Sequence, residues 1–87
     1  MRLDMWLRNS GLIPRRTVAK TACDDGLIEV NGKRAKASLE VRSGDEVTVR
    51  IGLRVTVHRV ADLPQRPVAK SDREKVAALL HSEKVEL

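Results

Sequence analysis

Leu27-Ile28-Glu29-Val30-Asn31-Gly32-Lys33-Arg34-Ala35-Lys36 is the stretch on which the fold turns. Leu27 to Val30 reads as a short strand. Asn31-Gly32 is the strongest local signal for a two-residue hairpin, because both central positions of such a turn need positive φ. Lys33 to Lys36 then forms the return, with three cations beside the turn. Before Leu27 the apolar residues recur with a helical period, and after it they alternate. The chain therefore passes from helix to sheet at this point.

Upstream, Leu3, Trp6, Leu7 and Ser10 share one side of a helix over 2–10, with Gly11 as its stop. Asp4 and Arg8 stand one turn apart with the acid first, the favourable order for a helical ion pair. Pro14 suits the opening of a second helix, where its missing N–H costs nothing. That helix is expected to run to Asp24, with Val18, Ala19, Ala22 and Cys23 inward and Gly26 as terminal punctuation. Arg16 and Lys20, four apart, project together from the side away from that seam.

Downstream, 37–42 leads to a turn at Ser43-Gly44-Asp45. Glu46 to Ile51 and Leu53 to Val60 alternate as half-buried strands, interrupted by Gly52. Leu63-Pro64-Gln65-Arg66-Pro67 reads as a linker, since two prolines stop both helix and sheet. Ser71-Asp72-Arg73-Glu74 has the form of a capping box. The helix it opens is expected to reach Ser82 and to pack Val76, Leu79 and Leu80. The expected fold class is α+β: two N-terminal helices packed on a small antiparallel β-sheet, with a short C-terminal helix. The expected division is a binding domain over 1–60, a linker over 61–70 and a helical tail over 71–87.

Composition narrows the function. The chain has 87 residues, the size of one domain, and 17 Lys+Arg against 12 Asp+Glu give a net charge of +5. A pI near 10.0 suits a polyanionic partner, because each neutralised phosphate releases counterions. The cations are segregated: Arg2, Arg8, Arg15, Arg16 and Lys20 precede residue 24 with Asp4 as the lone acid among them. Cys23 is the single cysteine, so no internal disulfide and no Cys-based zinc site is expected, and a free thiol fits a reducing cytoplasm. No cofactor is expected. His58 and His81 show no metal-ligand spacing, and Trp6 reads as core. One Trp with no Phe or Tyr argues against recognition by base stacking on aromatics. No signal peptide or membrane-length apolar run is visible, and a cytoplasmic monomer without a membrane partner is expected.

The order of these residues resembles the RNA-binding domain named after small-subunit ribosomal protein four, the S-four domain. Arg2-Leu3-Asp4 with Leu7 is similar to its opening. Arg16 with Ala19, then Gly26, Ile28, Val30, Asn31-Gly32, Ser38, Val41, Gly44-Asp45, Val47 and Val49 follow in the family's order, so the resemblance covers 2–51. Arg15 stands where many such domains have Ser or Thr, as in the bacterial ribosome-quality-control (RqcP) group, and the short tail also favours that group over its heat-shock relative. The resemblance implies a non-enzymatic protein that binds large-subunit rRNA and peptidyl-tRNA on obstructed large ribosomal subunits. Its implied role is to support C-terminal tailing of stalled chains by a partner tailing factor. The alternative is another stand-alone ribosome-associated protein, of the heat-shock type, acting in large-subunit recycling or assembly.

The basic face and the family motif together select Arg2 and Arg16 as RNA contacts, followed by Arg15 and Lys20. Arg8 belongs to the set although Asp4 explains it locally. Lys33, Arg34 and Lys36 on the hairpin complete it. Arginine offers a planar fork of donors that matches phosphate oxygens, and contacts to phosphate and 2′-OH are expected to dominate. A fragment of an RNA-modifying enzyme is disfavoured, because no paired acids, nucleophile–base set or metal spacing is visible. A DNA-binding helix-turn-helix is disfavoured by the hairpin and sheet that follow the helices.

Overall fold

Leu3, Trp6 and Leu7 are wholly removed from solvent in the computed structural model, which describes residues 1–86. They lie on α1 (Leu3–Ser10) and join Ala19, Ala22 and Cys23 of α2 (Arg16–Asp24) in one core with Ile28, Val30, Val47 and Val49 of the sheet. The 3.6-residue spacing of the α1 stripe makes this possible. The first N–H groups of α1, which have no partner within the helix, are taken by a distant loop. Leu3 N–H donates to Leu39 O at 2.8 Å and Asp4 N–H to Ala37 O at 3.1 Å.

Gly11 ends α1 in the left-handed region at φ 84°, with its N–H on Arg8 O. A Cβ at Gly11 would run into the Arg73 side chain, which lies across this turn. Gly11→Ala therefore combines backbone strain with displacement of Arg73, and we expect a loss of about 1–2 kcal/mol. A lower urea midpoint with an unchanged slope checks it.

On α2 the expected inward set is partly corrected. Ala19, Ala22 and Cys23 are buried, but Val18 is 51% exposed. The three buried positions lie at i, i+3 and i+4, a stripe that already fills the α1 contact, and Val18 falls about 100° away from Ala19 around the helix.

The sheet comprises β1 (Ile28–Val30), β2 (Lys33–Arg34), β3 (Glu46–Ile51), β4 (Arg54–Val60) and β5 (Ala77–Lys84). Its order is β2-β1-β3-β4-β5, with antiparallel pairing throughout. Asn31 and Gly32 both take positive φ, 52° and 81°, as the two-residue turn requires. Asn31 also ties this turn to the next one: Nδ2 donates to Asp45 Oδ1 at 3.1 Å and Oδ1 accepts Glu46 N–H at 3.0 Å.

The C-terminal helix is real but far shorter than expected. A 3₁₀ turn (Lys70–Asp72) leads into α3 (Arg73–Val76), and the chain then becomes β5. Of Val76, Leu79 and Leu80, only Val76 is buried. No capping box forms at Ser71; Glu74 Oε1 instead accepts Leu79 N–H at 3.1 Å. A short isolated helix is marginal, whereas pairing from Ala77↔Val60 to Lys84↔Arg54 satisfies the otherwise open edge of β4. The tail thus completes the same sheet, and Leu87 lies outside the described residues.

Residues 61–70, expected as a linker, run as a strap against α1. Trp6 Nε1 donates to Asp62 O at 3.0 Å, Asn9 Nδ2 to Pro64 O at 2.9 Å, and Val68 N–H to Asn9 O at 3.0 Å. Leu63 and Val68 pack on the core. Among the described residues no helix is long and apolar enough to cross a membrane.

Candidate nucleic-acid interface

Asp4 is 2% exposed at the first turn of α1, where the positive end of the helix favours its charge. Arg2 grips it with both ends of its fork, Nε to Oδ1 at 3.1 Å and Nη2 to Oδ2 at 3.2 Å. Arg16 Nε reaches Oδ2 at 3.4 Å from the start of α2, and Met5 N–H donates to Oδ1 at 2.8 Å. Burial pushes the Asp4 carboxyl up, but the hydrogen bonds from Arg2 and Arg16 outweigh it and hold the group below the ordinary carboxylate value. The same hydrogen bond, with the charge behind it, raises Arg2 above the usual guanidinium value.

The expected Asp4–Arg8 pair is therefore replaced. Arg8 Nε donates to Asn9 Oδ1 at 3.1 Å instead. The Asp4 carboxylate is already met by two guanidiniums, from Arg2 and Arg16, and the half-buried Arg8 side chain turns to its neighbour. Arg2 and Arg16 keep 49% and 42% of their side chains exposed. One edge of each is fixed, and the remaining N–H groups are available to phosphate.

Arg2, Asp4, Arg16, Thr17 and Lys20 line a shallow groove of about 270 Å³. On the hairpin side, Lys33, Arg34, Lys36, Ser38 and Arg42 contribute to a broader groove of about 920 Å³. A recess lined by Cys23, Asp24, Arg34, Ala35 and Lys36 extends the hairpin groove, with which it shares the last three, to the C-terminal end of α2. Cations from the start of α1, from α2 and from the β1–β2 hairpin thus line these grooves.

Of the eight residues selected from the sequence, Arg2, Arg16 and Lys20 gather in the first groove and Lys33, Arg34 and Lys36 in the second. Arg8, half-buried, and Arg15, exposed at the start of α2, line neither. Arg34 also supports the fold directly, since its Nη2 donates to Asp24 O at 2.7 Å and closes the end of α2. Its guanidinium crosses Gly26 so closely that a Cβ there would lie 2.9 Å from Cζ. The grooves also include Thr17, Ser38 and Arg42, which were not among the contacts selected from the sequence, and the sequence did not show Asp4 as the anchor of both leading arginines. Arg2-x-Asp4 is a visible spacing, but nothing local indicates that Arg16 joins it.

Cys23 is 2% exposed. Burial, followed by the nearby charges of Asp4 and Asp24, pushes its thiol up to about 11, so it is a protonated core side chain. Among the described residues no group of three or more His, Cys, Asp or Glu could hold a metal ion.

The S4 domain model matches residues 1–47. Over 85 residues, the chain is 42% identical to the RQC P-site tRNA stabilizing factor of Bacillus subtilis, covering 98% of both chains. It is 40% identical over 86 residues to the protein of the same description from Halalkalibacterium halodurans, covering 99% of this chain and 92% of that one. The fold is similar to that of Vibrio cholerae Heat Shock Protein 15, itself described as trimeric, with a TM-score of 0.86 and 24% identity over 92% of this chain and 81% of that one. With the Arg2–Asp4–Arg16 arrangement inside the matched segment and the likeness running nearly end to end, the chain belongs to the S4 domain family and, within it, to the family of RQC P-site tRNA stabilizing factors.

Proposed function

We propose that this protein is a non-enzymatic, cytoplasmic RNA-binding factor of ribosome-associated quality control. It binds large-subunit rRNA and peptidyl-tRNA on obstructed large subunits and so supports C-terminal tailing of the stalled chain by a tailing factor on the same subunit. The observation that carries this reading is the fixed pair Arg2 and Arg16 on buried Asp4, opening a basic face in a chain 42% identical throughout to a P-site tRNA stabilizing factor. A rigid fork of donors suits a defined phosphate pair, and the grooves beside it carry further cations for the adjoining backbone.

The test is co-sedimentation of the tagged protein with ribosomal particles from its own cells, comparing wild type with Arg16→Ala. Wild type is expected on free large subunits that carry peptidyl-tRNA, and the variant is expected to be depleted about tenfold, as for loss of one charge-assisted contact of ~1.5 kcal/mol. Absence of wild type from every ribosomal fraction at low salt would sink the proposal. Enrichment on large subunits regardless of peptidyl-tRNA would favour the alternative, a recycling or assembly role of the heat-shock type, for which the shared fold is the support.

A further inference from the structure

Where residues 61–70 dock on α1, the strap creates a slot that shares only Arg2 with the grooves described above. Met1, Arg2 and Met5 form one wall, Leu63 and Gln65 the other, and the space between them is about 300 Å³. That is the lower end of the range for ligand sites, ~300–1,000 Å³, and suits a single planar ring system. The wall residues Met1, Met5 and Leu63 are each half-buried, so the slot is an apolar cleft open to solvent along one side. The strap is held in place by the bonds of Trp6 to Asp62 O and Asn9 to Pro64 O, which flank Leu63 on both sides. The slot is therefore built into the fold at the point where 61–70 docks.

We propose that this slot receives one unstacked nucleobase of the RNA whose phosphate Arg2 holds. The proposal rests on the RNA-binding reading above and adds a base contact to it. Three features select a base. The polarisable thioethers of Met1 and Met5 with the Leu63 side chain offer an apolar bed for a ring face. Gln65, exposed at the rim, carries both a donor and an acceptor for a base edge. Arg2 supplies the cation within one nucleotide's reach of the slot, so a strand anchored there brings a base to its mouth. Recognition of single-stranded RNA commonly uses such splayed bases, and aliphatic side chains take the place of exposed aromatics, since Trp6, the one aromatic residue, is buried.

The experiment is fluorescence-anisotropy binding of an RNA stem–loop, either intact or with an abasic nucleotide at each loop position in turn. Removing a base leaves every phosphate in place, so purely backbone binding is blind to it. Wild type is expected to lose about tenfold affinity at one loop position, the scale of one lost base contact. In Gln65→Ala and Leu63→Ala, checked for folding by circular dichroism, the same abasic penalty is expected to shrink to twofold or less. Arg16→Ala is expected to weaken intact and abasic RNA alike while keeping the penalty. Equal wild-type affinity for the intact RNA and every abasic RNA overturns the slot while leaving the RNA-binding reading standing. A penalty that persists undiminished in both slot variants also overturns it, and no binding by wild type to any of the RNAs removes both.

Discussion

Asp4→Asn is expected to lower the melting temperature by roughly 5–20 °C at neutral pH and to weaken RNA binding about tenfold. Asparagine keeps the shape but removes the charge, and its NH₂ group adds a donor where Arg2, Arg16 and Met5 already donate. Breaking a fully buried ion pair costs ~3–5 kcal/mol. Here both arginines stay about half in water, so we take ~1–3 kcal/mol, which converts at ~4–8 °C per kcal/mol for a domain of this size. Binding falls because the two guanidiniums lose the anchor that orients them. The pH dependence has a definite sign. The folded Asp4 lies below its ordinary value of 3.8, so its contribution is complete above that value and is lost as pH falls through the folded pKa. Wild type and variant should therefore converge in acid. Thermal melts across pH, with binding measured where circular dichroism shows the variant folded, check both parts. Equal melting and affinity at pH 7 would show that the carboxylate is a bystander.

Trp6→Ala is expected to remove roughly half of the folding stability or more. Trp6 is fully buried and is the largest side chain of the core, and its deletion costs ~3–5 kcal/mol. A chain of this length has a total margin on the order of 5–10 kcal/mol. The indole also donates to Asp62 O, so the variant removes one of the strap's anchors at the same time. Trp6→Phe separates the two effects: it retains most of the packing, loses that hydrogen bond and should cost about 1–2 kcal/mol. Urea titrations followed by far-UV circular dichroism distinguish them. A Trp6→Ala transition with the wild-type midpoint would exclude a central role for this side chain.

His58 shows how burial assigns a role that spacing could not. It sits in β4 at 8% exposure, facing the core across from Val47, with Nδ1 3.4 Å from Ala77 O. Burial lowers its pKa despite the opposing effects of Ala77 O and Glu74. In sequence it was one of two unrelated histidines, yet it is part of the packing that joins β4 to the C-terminal strand.

Helix α1, the body of α2 (which starts at Arg16, two residues after the proline expected to open it) and the turns at Asn31-Gly32 and Gly52 were legible in the sequence, because each rests on interactions between residues a few positions apart. A 3.6-residue stripe forms a helix wherever it finds a core, and Asn-Gly accepts positive φ whatever surrounds it. The basic character of the first third and of the hairpin was legible for the same reason: charge is additive and needs no fold. What the sequence left open was every choice between competing partners. Asp4 had Arg8 one turn away, but the packing of α2 brought Arg16, and Arg2 folded back to the same carboxylate. Residues 77–84 had helix-compatible apolar spacing, but the exposed edge of β4 offered a ladder of backbone bonds that a short helix could not match. The prolines of the strap excluded helix and sheet, yet only the carbonyls of Asp62 and Pro64, meeting Trp6 and Asn9, decided that it would dock. Local preferences settle conformation over a few residues, whereas the partner of a buried charge, a strand edge or a backbone carbonyl is settled by which distant group can reach it as water is expelled.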